Sequence, residues 1–477
     1  MNRRTFLRSS VVYGGGLAVY NPFQSLGVLA AAGGRPSRNP GYGPLVDKGE
    51  LALPAAFSYQ AISRQGRAMS DGNLTPSCFD GMGSFRGPWG TTVLVRNHEN
   101  RLSQNPNGNN EIPVVVPAGM EYDADPNMRA GCTRLVVRQR RNGEFDVLDE
   151  RGVLAGTDNN CAGGVLPFGK WLTCEEVVRR GATGIRHGYV FEINAYAPGP
   201  VVARPIPQLG RFAHEASVWH AGVLYETEDR RLKPAATTQG GACFYRYVPD
   251  QRVGPFDNLA DTTGVLQAAR IRNEPNANMD VGRVVGRPYP VDWVTIDHPD
   301  HDDDADSIAN GIGTRFQGQA KGAAIFDRLE GAWAGNGRIY FDATSGGPAG
   351  AGQIWEYDPR RRTLTLLLES PGAEVLEGPD NVVVVPHTGD IFLCEDAAAP
   401  QYLRGLTLDG ELYDFARTIN NDTEFAGACF DADGDTLFLN QYGARGTLPD
   451  GPPGNAGPPQ GGVTYAITGP FRKRGRH

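Results

Sequence analysis

Helical periodicity is nearly absent from this chain, and short β-rich runs recur from end to end instead, each closed by Gly, Pro, Asp or Asn. Runs at 91–95, 169–173, 223–227, 242–248, 338–341, 353–357, 381–385, 390–394, 436–439 and 463–467 show the pattern. Pro386-His387-Thr388-Gly389-Asp390 and Asp431-Ala432-Asp433-Gly434-Asp435 read as hairpin turns between such runs. Aromatic-rich runs ending Tyr-Val-Pro (247–249) and Tyr-Asp-Pro (357–359) look like outer strands of successive blades. No strict sequence repeat accompanies them. Evenly spaced four-stranded units over 477 residues predict an all-β fold: a single β-propeller, six-bladed, with loop insertions covering one face. The propeller domain is expected over 33–477, with a long insertion at about 250–313 and a Pro/Gly-rich loop at 446–462.

Residues 1–32 have a different character. Asn2-Arg3-Arg4-Thr5-Phe6-Leu7-Arg8 is a twin-arginine export signal, followed by a weakly apolar stretch and the small residues Ala30-Ala31-Ala32. That route carries proteins already folded around their cofactors, so a periplasmic or secreted bacterial protein is expected, with the twin-arginine machinery as partner of the precursor. No later run offers the roughly 20 uninterrupted apolar residues of a membrane span, so no stable membrane insertion is expected after signal removal.

A net charge of −8 argues against a nucleic-acid partner, and an anionic substrate would need cations in the site. The seven cysteines form no CxxC pair, and their odd number leaves one thiol over for metal or for the core. A monomer is expected.

Propellers concentrate chemistry where inner strand ends converge, so the acids and bases that end β runs are the candidate site residues. They are Asn97-His98-Glu99, Cys174-Glu175-Glu176, His214-Glu215, Glu226-Thr227-Glu228-Asp229, Arg328-Leu329-Glu330, Asp342, Glu377-Gly378-Pro379-Asp380-Asn381 and Cys394-Glu395-Asp396. Soft sulfur beside hard oxygen in Cys174-Glu175-Glu176 suits a mixed transition-metal and calcium site. So many converging carboxylates would repel one another unless multivalent cations join them. Gly164–Lys170 begins like a phosphate-binding loop, but Trp171 replaces the required hydroxyl and no helix pattern follows. Asp431–Asp435 lacks the twelfth-position Glu of a calcium loop, and 297–306 reads as a solvated acidic loop.

The strings Trp171-Leu172-Thr173-Cys174-Glu175-Glu176 and Gly210-Arg211-Phe212-Ala213-His214-Glu215-Ala216 are specific. With residues 94–99, Glu228-Asp229-Arg230 and Arg328-x-Glu330, they resemble the PhoX family of twin-arginine-exported alkaline phosphatases. The resemblance implies a propeller holding ferric iron (Fe3+) and calcium (Ca2+) at its channel mouth, acting on a small-molecule phosphate ester. It implies Cys174 as iron ligand, with Glu175, Glu215, Asp229 and Glu330 as carboxylate ligands; Glu228 and Asp380 complete the expected metal set. Arg328 becomes the phosphate clamp. Of the neighbours Glu175 and Glu176 only one can point inward, and the resemblance favours Glu175. Leu329 stands where the family is expected to carry proline, and the chain is short for the family.

Two other readings fit parts of the pattern. Residues 377–381 are similar to the calcium-binding strand ends of lactonase-type propellers, and a non-catalytic, calcium-stabilised binding propeller would also carry acidic strand ends. Neither calls for iron.

Overall fold

The computed structural model describes residues 41–101, 111–233, 240–302, 312–443 and 461–472. The expected export signal at 1–32 and most of the 446–462 loop lie outside them. Strand dominates, and α-helix among the described residues is confined to Thr314–Ala320. None of the described helices is long and apolar enough to cross a membrane.

The strands form antiparallel up-and-down sheets arranged around a central axis, a propeller-like architecture. The strands nearest the axis are Phe79–Arg86, Asn160–Leu166, His214–His220, Leu329–Gly335, Pro379–Val384 and Phe425–Phe430, and they pack neighbour to neighbour in a closed ring. Outward of Phe79–Arg86 follow Thr91–His98, Ala130–Gln139 and Phe145–Thr157, each paired with the one before it. The last sheet is completed by the N-terminal strand Ser58–Arg64, which pairs with Val463–Thr468 and so ties the two ends of the ring together. Radial repetition of this kind leaves only short, protected sheet edges, and the pairing of the two chain ends holds the ring shut.

The inner strands of the sheets bury both faces and read as nearly continuous buried runs, as in Phe425–Phe430 and Thr436–Gln441, whereas outer strands such as Pro288–Thr295 and Thr363–Glu369 alternate. The fully buried Trp355 and Phe341 belong to one core cluster between neighbouring sheets, and Phe415, Phe430 and Phe471 to another. Near the axis there is no room for bulk. A side chain added at Gly81 would meet the Ala162 backbone, one at Gly164 the Ser217 carbonyl, and one at Gly331 the Asp380 carbonyl. Glycine at these positions lets the innermost strands converge.

The segment 250–313 differs from the expected insertion. Gly264–Ile271 is the outer strand beside Tyr245–Pro249, and Pro288–Thr295 pairs with both it and Thr363–Glu369, joining two units into one nine-stranded sheet. Its Gly- and Asp-rich flanks hid two ordinary strands. In the described part of the acidic loop that follows, Asp300 and Asp302 meet Arg186 and Asp297 meets Lys321; residues 303–306 lie outside the described residues. Gly164 to Lys170 is the hairpin between Asn160–Leu166 and Lys170–Glu175, which leaves no phosphate-binding helix there.

Candidate metal centre

A backbone repeat that the sequence does not display builds the site. In every innermost strand the ladder to its neighbour slips once near the start: after Phe79, Asn160, His214, Leu329, Pro379 and Ala426. Such a bulge re-aims the next side chain. The residues so placed are Asp80, Cys161, Glu215, Glu330 and Asp380, and in the last strand Gly427, where φ is +57° and an added side chain would strike the Asp80 carbonyl. Four carboxylates and one thiol therefore occupy equivalent places.

A second tier comes from the neighbouring strands. The residue just past each of their ends, Glu99, Glu176, Asp229, Thr344, Asp396 and Tyr442, donates its backbone N–H at 2.8–3.1 Å. The acceptors are the carbonyls of Cys78, Asn159, Ala213, Arg328, Gly378 and Glu424, which immediately or nearly precede the innermost strands. Four of these acceptor residues adopt left-handed backbone, Cys78, Asn159, Arg328 and Gly378, with φ of 53–56°. For a residue with a side chain this is an uncommon conformation, held here by the closing hydrogen bond. Among them is Arg328, whose guanidinium reaches Asp229.

Three donor groups have ligating atoms within 4.8 Å of one another: Cys161, Glu176 and Glu215; Glu215, Glu330 and Asp380; and Asp380, Asp396 and Glu424. They share members and run as one chain across the mouth. At its centre Arg328 grips Asp229 with two aligned hydrogen bonds of 2.9 and 3.0 Å, and its Nη2 lies 2.5 Å from Glu330 Oε1 without hydrogen-bond alignment. Arg101 lies against Glu99 and 3.5 Å from Glu176 Oε2.

The electrostatics follow from this crowding. Burial first, and mutual repulsion after it, hold Asp80, Glu176, Glu215, Asp380 and Glu424 well above the ordinary carboxylate range. Burial does the same to Glu330, where repulsion from Asp229 and Asp380 persists beside Arg328. Burial also pushes Asp229 up, but the Arg328 guanidinium outweighs it and leaves this acid low. The Cys161 thiol is driven up by burial and then by Glu215 and Glu176. Such a group is unfavourable as bare anions and favourable around cations.

The placement of the expected residues divides cleanly. Glu215, Glu330, Asp380, Asp229 and Arg328 meet at the mouth. Cys174, Glu175 and Glu228 do not join them, and this corrects the sequence expectation. Glu175 and Glu228 sit one residue before the second tier, and strand pleat turns them outward. Glu175 is spent on the backbone N–H groups of Asp158, Gly188 and Tyr189 and on His187, and Glu228 on Cys243 N–H, Tyr245 and Arg315. Cys174 faces Ser217 Oγ at 3.4 Å, in an interior that holds its thiol high by burial. Side chains one step earlier on these neighbouring strands clamp the next innermost strand: Asn97 donates to the Cys161 and Ala162 carbonyls, Asn440 to that of Asp80 and Thr227 to that of Glu330. They fix the bulges that aim the first tier.

Sequence reasoning passed over Asp80, Cys161 and Glu424 and set aside Glu176. A signal was present: in Asp80-Gly81, Cys161-Ala162, Glu215-Ala216 and Glu330-Gly331 a donor precedes a minimal side chain at the head of a β run. Beneath this tier the same small residues, with Trp171 and Trp333, line a cavity of about 20 Å³ on the axis.

The family model for alkaline phosphatase PhoX matches residues 40–153 and 147–444. No curated protein matches the chain. Among solved structures it is similar to Pseudomonas fluorescens PhoX in complex with vanadate, a transition state analogue. The TM-score is 0.65 at 17% identity, covering 90% of this chain and 97% of that one. A protein of unknown function from Dyadobacter fermentans is similar with a TM-score of 0.43 at 9% identity, covering 87% and 100%.

Proposed function

The chain belongs to the PhoX family of alkaline phosphatases, phosphoric ester hydrolases, and on that premise we propose that it hydrolyses small-molecule phosphate monoesters at the carboxylate–thiol mouth, using Fe3+ and Ca2+. The observation that carries the proposal is the shared chain of donor groups beside Arg328. The donor set fits both ions. Cys161 with Glu176 and Glu215 offers the soft sulfur that suits iron, and Asp380, Asp396 and Glu424 offer the oxygen-only set that suits calcium. Buried acids held well above their ordinary range are also what a cation would release as anions.

When bound, the cations supply charge neutralisation on the phosphoryl oxygens and acidify the attacking water. The protein supplies the rest. Arg328, planar and pinned at its Nε side by Asp229, is oriented to grip phosphoryl oxygens as charge accumulates on them. The Asn97, Thr227 and Asn440 clamps hold the donor tier rigid, so the ester meets a pre-set geometry.

The ring of innermost strands supports six blades in one domain over 33–477. Asn2–Arg8 supports export by the twin-arginine route, with folding and metal loading before transport. The test is elemental analysis of the purified protein together with p-nitrophenyl phosphate turnover. Iron and calcium with turnover uphold the proposal. Calcium without iron, together with lactone opening and no phosphatase activity, replaces it with the lactonase-type reading.

A further inference from the structure

Five of the innermost strands place a donor side chain in the bulge, and the last has no room for one. At Gly427 an added side chain would meet the Asp80 carbonyl and the Asn440 amide. The residue after the bulge is minimal in five of these strands: Gly81, Ala162, Ala216, Gly331 and Ala428. The exception is Asn381, in the strand that packs beside the one carrying Gly427.

Asn381 is buried on the wall of the axial cavity, and both ends of its carboxamide are used. Its Nδ2 donates to Asp380 Oδ1 at 2.5 Å, and its Oδ1 accepts the Gly427 backbone N–H at 2.6 Å. The amide therefore spans the gap in the ring and ties a donor carboxylate to the backbone of the strand that lacks one. The last torsion of an aspartate is broad when nothing restrains it; a donor anchored on a second strand holds the carboxylate in one plane. An acid at 381 could accept from Gly427 but would bring a like charge against Asp380, so the pair of bonds calls for an amide.

Asp380 is the acid whose orientation matters most. It belongs to the group with Glu215 and Glu330 and to the oxygen-only group with Asp396 and Glu424, whereas the thiol group of Cys161, Glu176 and Glu215 does not contain it. We infer that Asn381 is a positioning residue for calcium, holding the plane of the Asp380 carboxylate for the cation that Asp396 and Glu424 share with it, while iron at Cys161 does not depend on it. The inference rests on the proposed assignment of Fe3+ and Ca2+ to these groups.

The test is a double-mutant cycle read by calorimetric titration of Ca2+ into iron-loaded protein stripped of calcium. Iron content, visible absorption and Tm are recorded for each protein before titration. Asn381→Ala should weaken calcium binding by about 10- to 100-fold, the usual cost of losing a partner that orients a metal ligand. Its iron content and absorption should match the wild type. In an Asp380→Asn background, Asn381→Ala should cost no more than about twofold further, because the amide acts through Asp380. Asn381→Ser, which retains a donor, should recover part of the affinity, and it decides the case if the alanine variant does not fold. Unchanged calcium affinity in these variants overturns the inference. So does a loss of equal size when Asp380 is already replaced, or a loss of iron in parallel with calcium. A wild type that takes up no calcium overturns it too. A wild type that binds both metals and turns over no phosphate ester removes the proposed function, while the cycle still decides the role of Asn381.

Discussion

The thiol of Cys161 lies 3.8 Å from the carbonyl oxygen of Cys174, yet the two thiols face different surroundings. Cys161 lies in a bulge beside Glu176 and Glu215, whereas Cys174 points at Ser217 in the packed interior. Cys161→Ala is expected to remove iron and any thiolate-to-iron absorption. Cys174→Ala should keep both while losing on the order of 1–2 kcal/mol of stability through the small void it leaves. Visible spectra and elemental analysis of the two variants decide it, and a colourless Cys174→Ala with an intact Cys161→Ala would reverse the assignment.

Arg328→Ala should lower kcat/KM by about 10²-fold or more, the scale of removing a charged partner of the transition state. It also frees Asp229, whose low position depends on this guanidinium, so the variant should bind cations at least as well as the wild type. Near-normal turnover would take Arg328 out of the site.

Chelation should invert the response to pH. In the metal-free protein the mouth acids have folded-state values raised above their unfolded ones, so the folded state binds the extra protons. Their contribution favours folding below the raised values, and stability falls as pH climbs from the unfolded carboxylate value of about 4 toward those values. The Tm of chelated protein should therefore drop as pH climbs above the ordinary carboxylate value of about 4, and the metal-loaded protein, whose acids are held as anions by cations, should not show that drop. Parallel melting curves test this.

Gly164→Ala tests the convergence of the innermost strands. The new methyl would overlap the Ser217 carbonyl, a backbone atom that cannot swing aside. A loss of about 3 kcal/mol or more is expected in denaturant unfolding, with weakened metal retention because Ser217 lies two residues from Glu215. A neutral effect would show that this neck has slack.

Much of the architecture is legible in the chain because it is local: turn residues punctuate β runs at a near-constant spacing, and acids at their ends mark one mouth. The donor tier is less legible because it depends on where each ladder slips. A bulge inserts no recognisable residue; it is visible only as a mismatch between partners such as Phe79 with His98 and Met82 with Arg96. Without it, Asp80 and Cys161 read as ordinary strand residues. The strands in 264–295 were obscured for a different reason, since Gly- and Asp-rich flanks interrupt their β pattern while their partners all lie in the one nine-stranded sheet.

Glu175 and Glu176 condense that lesson into one comparison. One residue of pleat separates them: Glu175 ends the strand Lys170–Glu175 and turns outward, whereas Glu176 follows it and turns to the mouth. Glu175 is fully buried and accepts from three backbone N–H groups and from His187, whose own value is raised to about 9 after its neighbouring carboxylates overcome burial. Glu175→Ala should therefore cost on the order of 3 kcal/mol or more, by leaving buried donors and a charged imidazole without their acceptor. Because His187 has a raised folded-state value, the stability it contributes is complete below about pH 6.5 and fades toward pH 9, so the penalty of Glu175→Ala should shrink over that window. Glu176→Gln should do the opposite: near-normal unfolding of the metal-free protein, with reduced iron retention. The two variants, melted and assayed for metal side by side, separate the residue that holds the scaffold from the one that holds the ion.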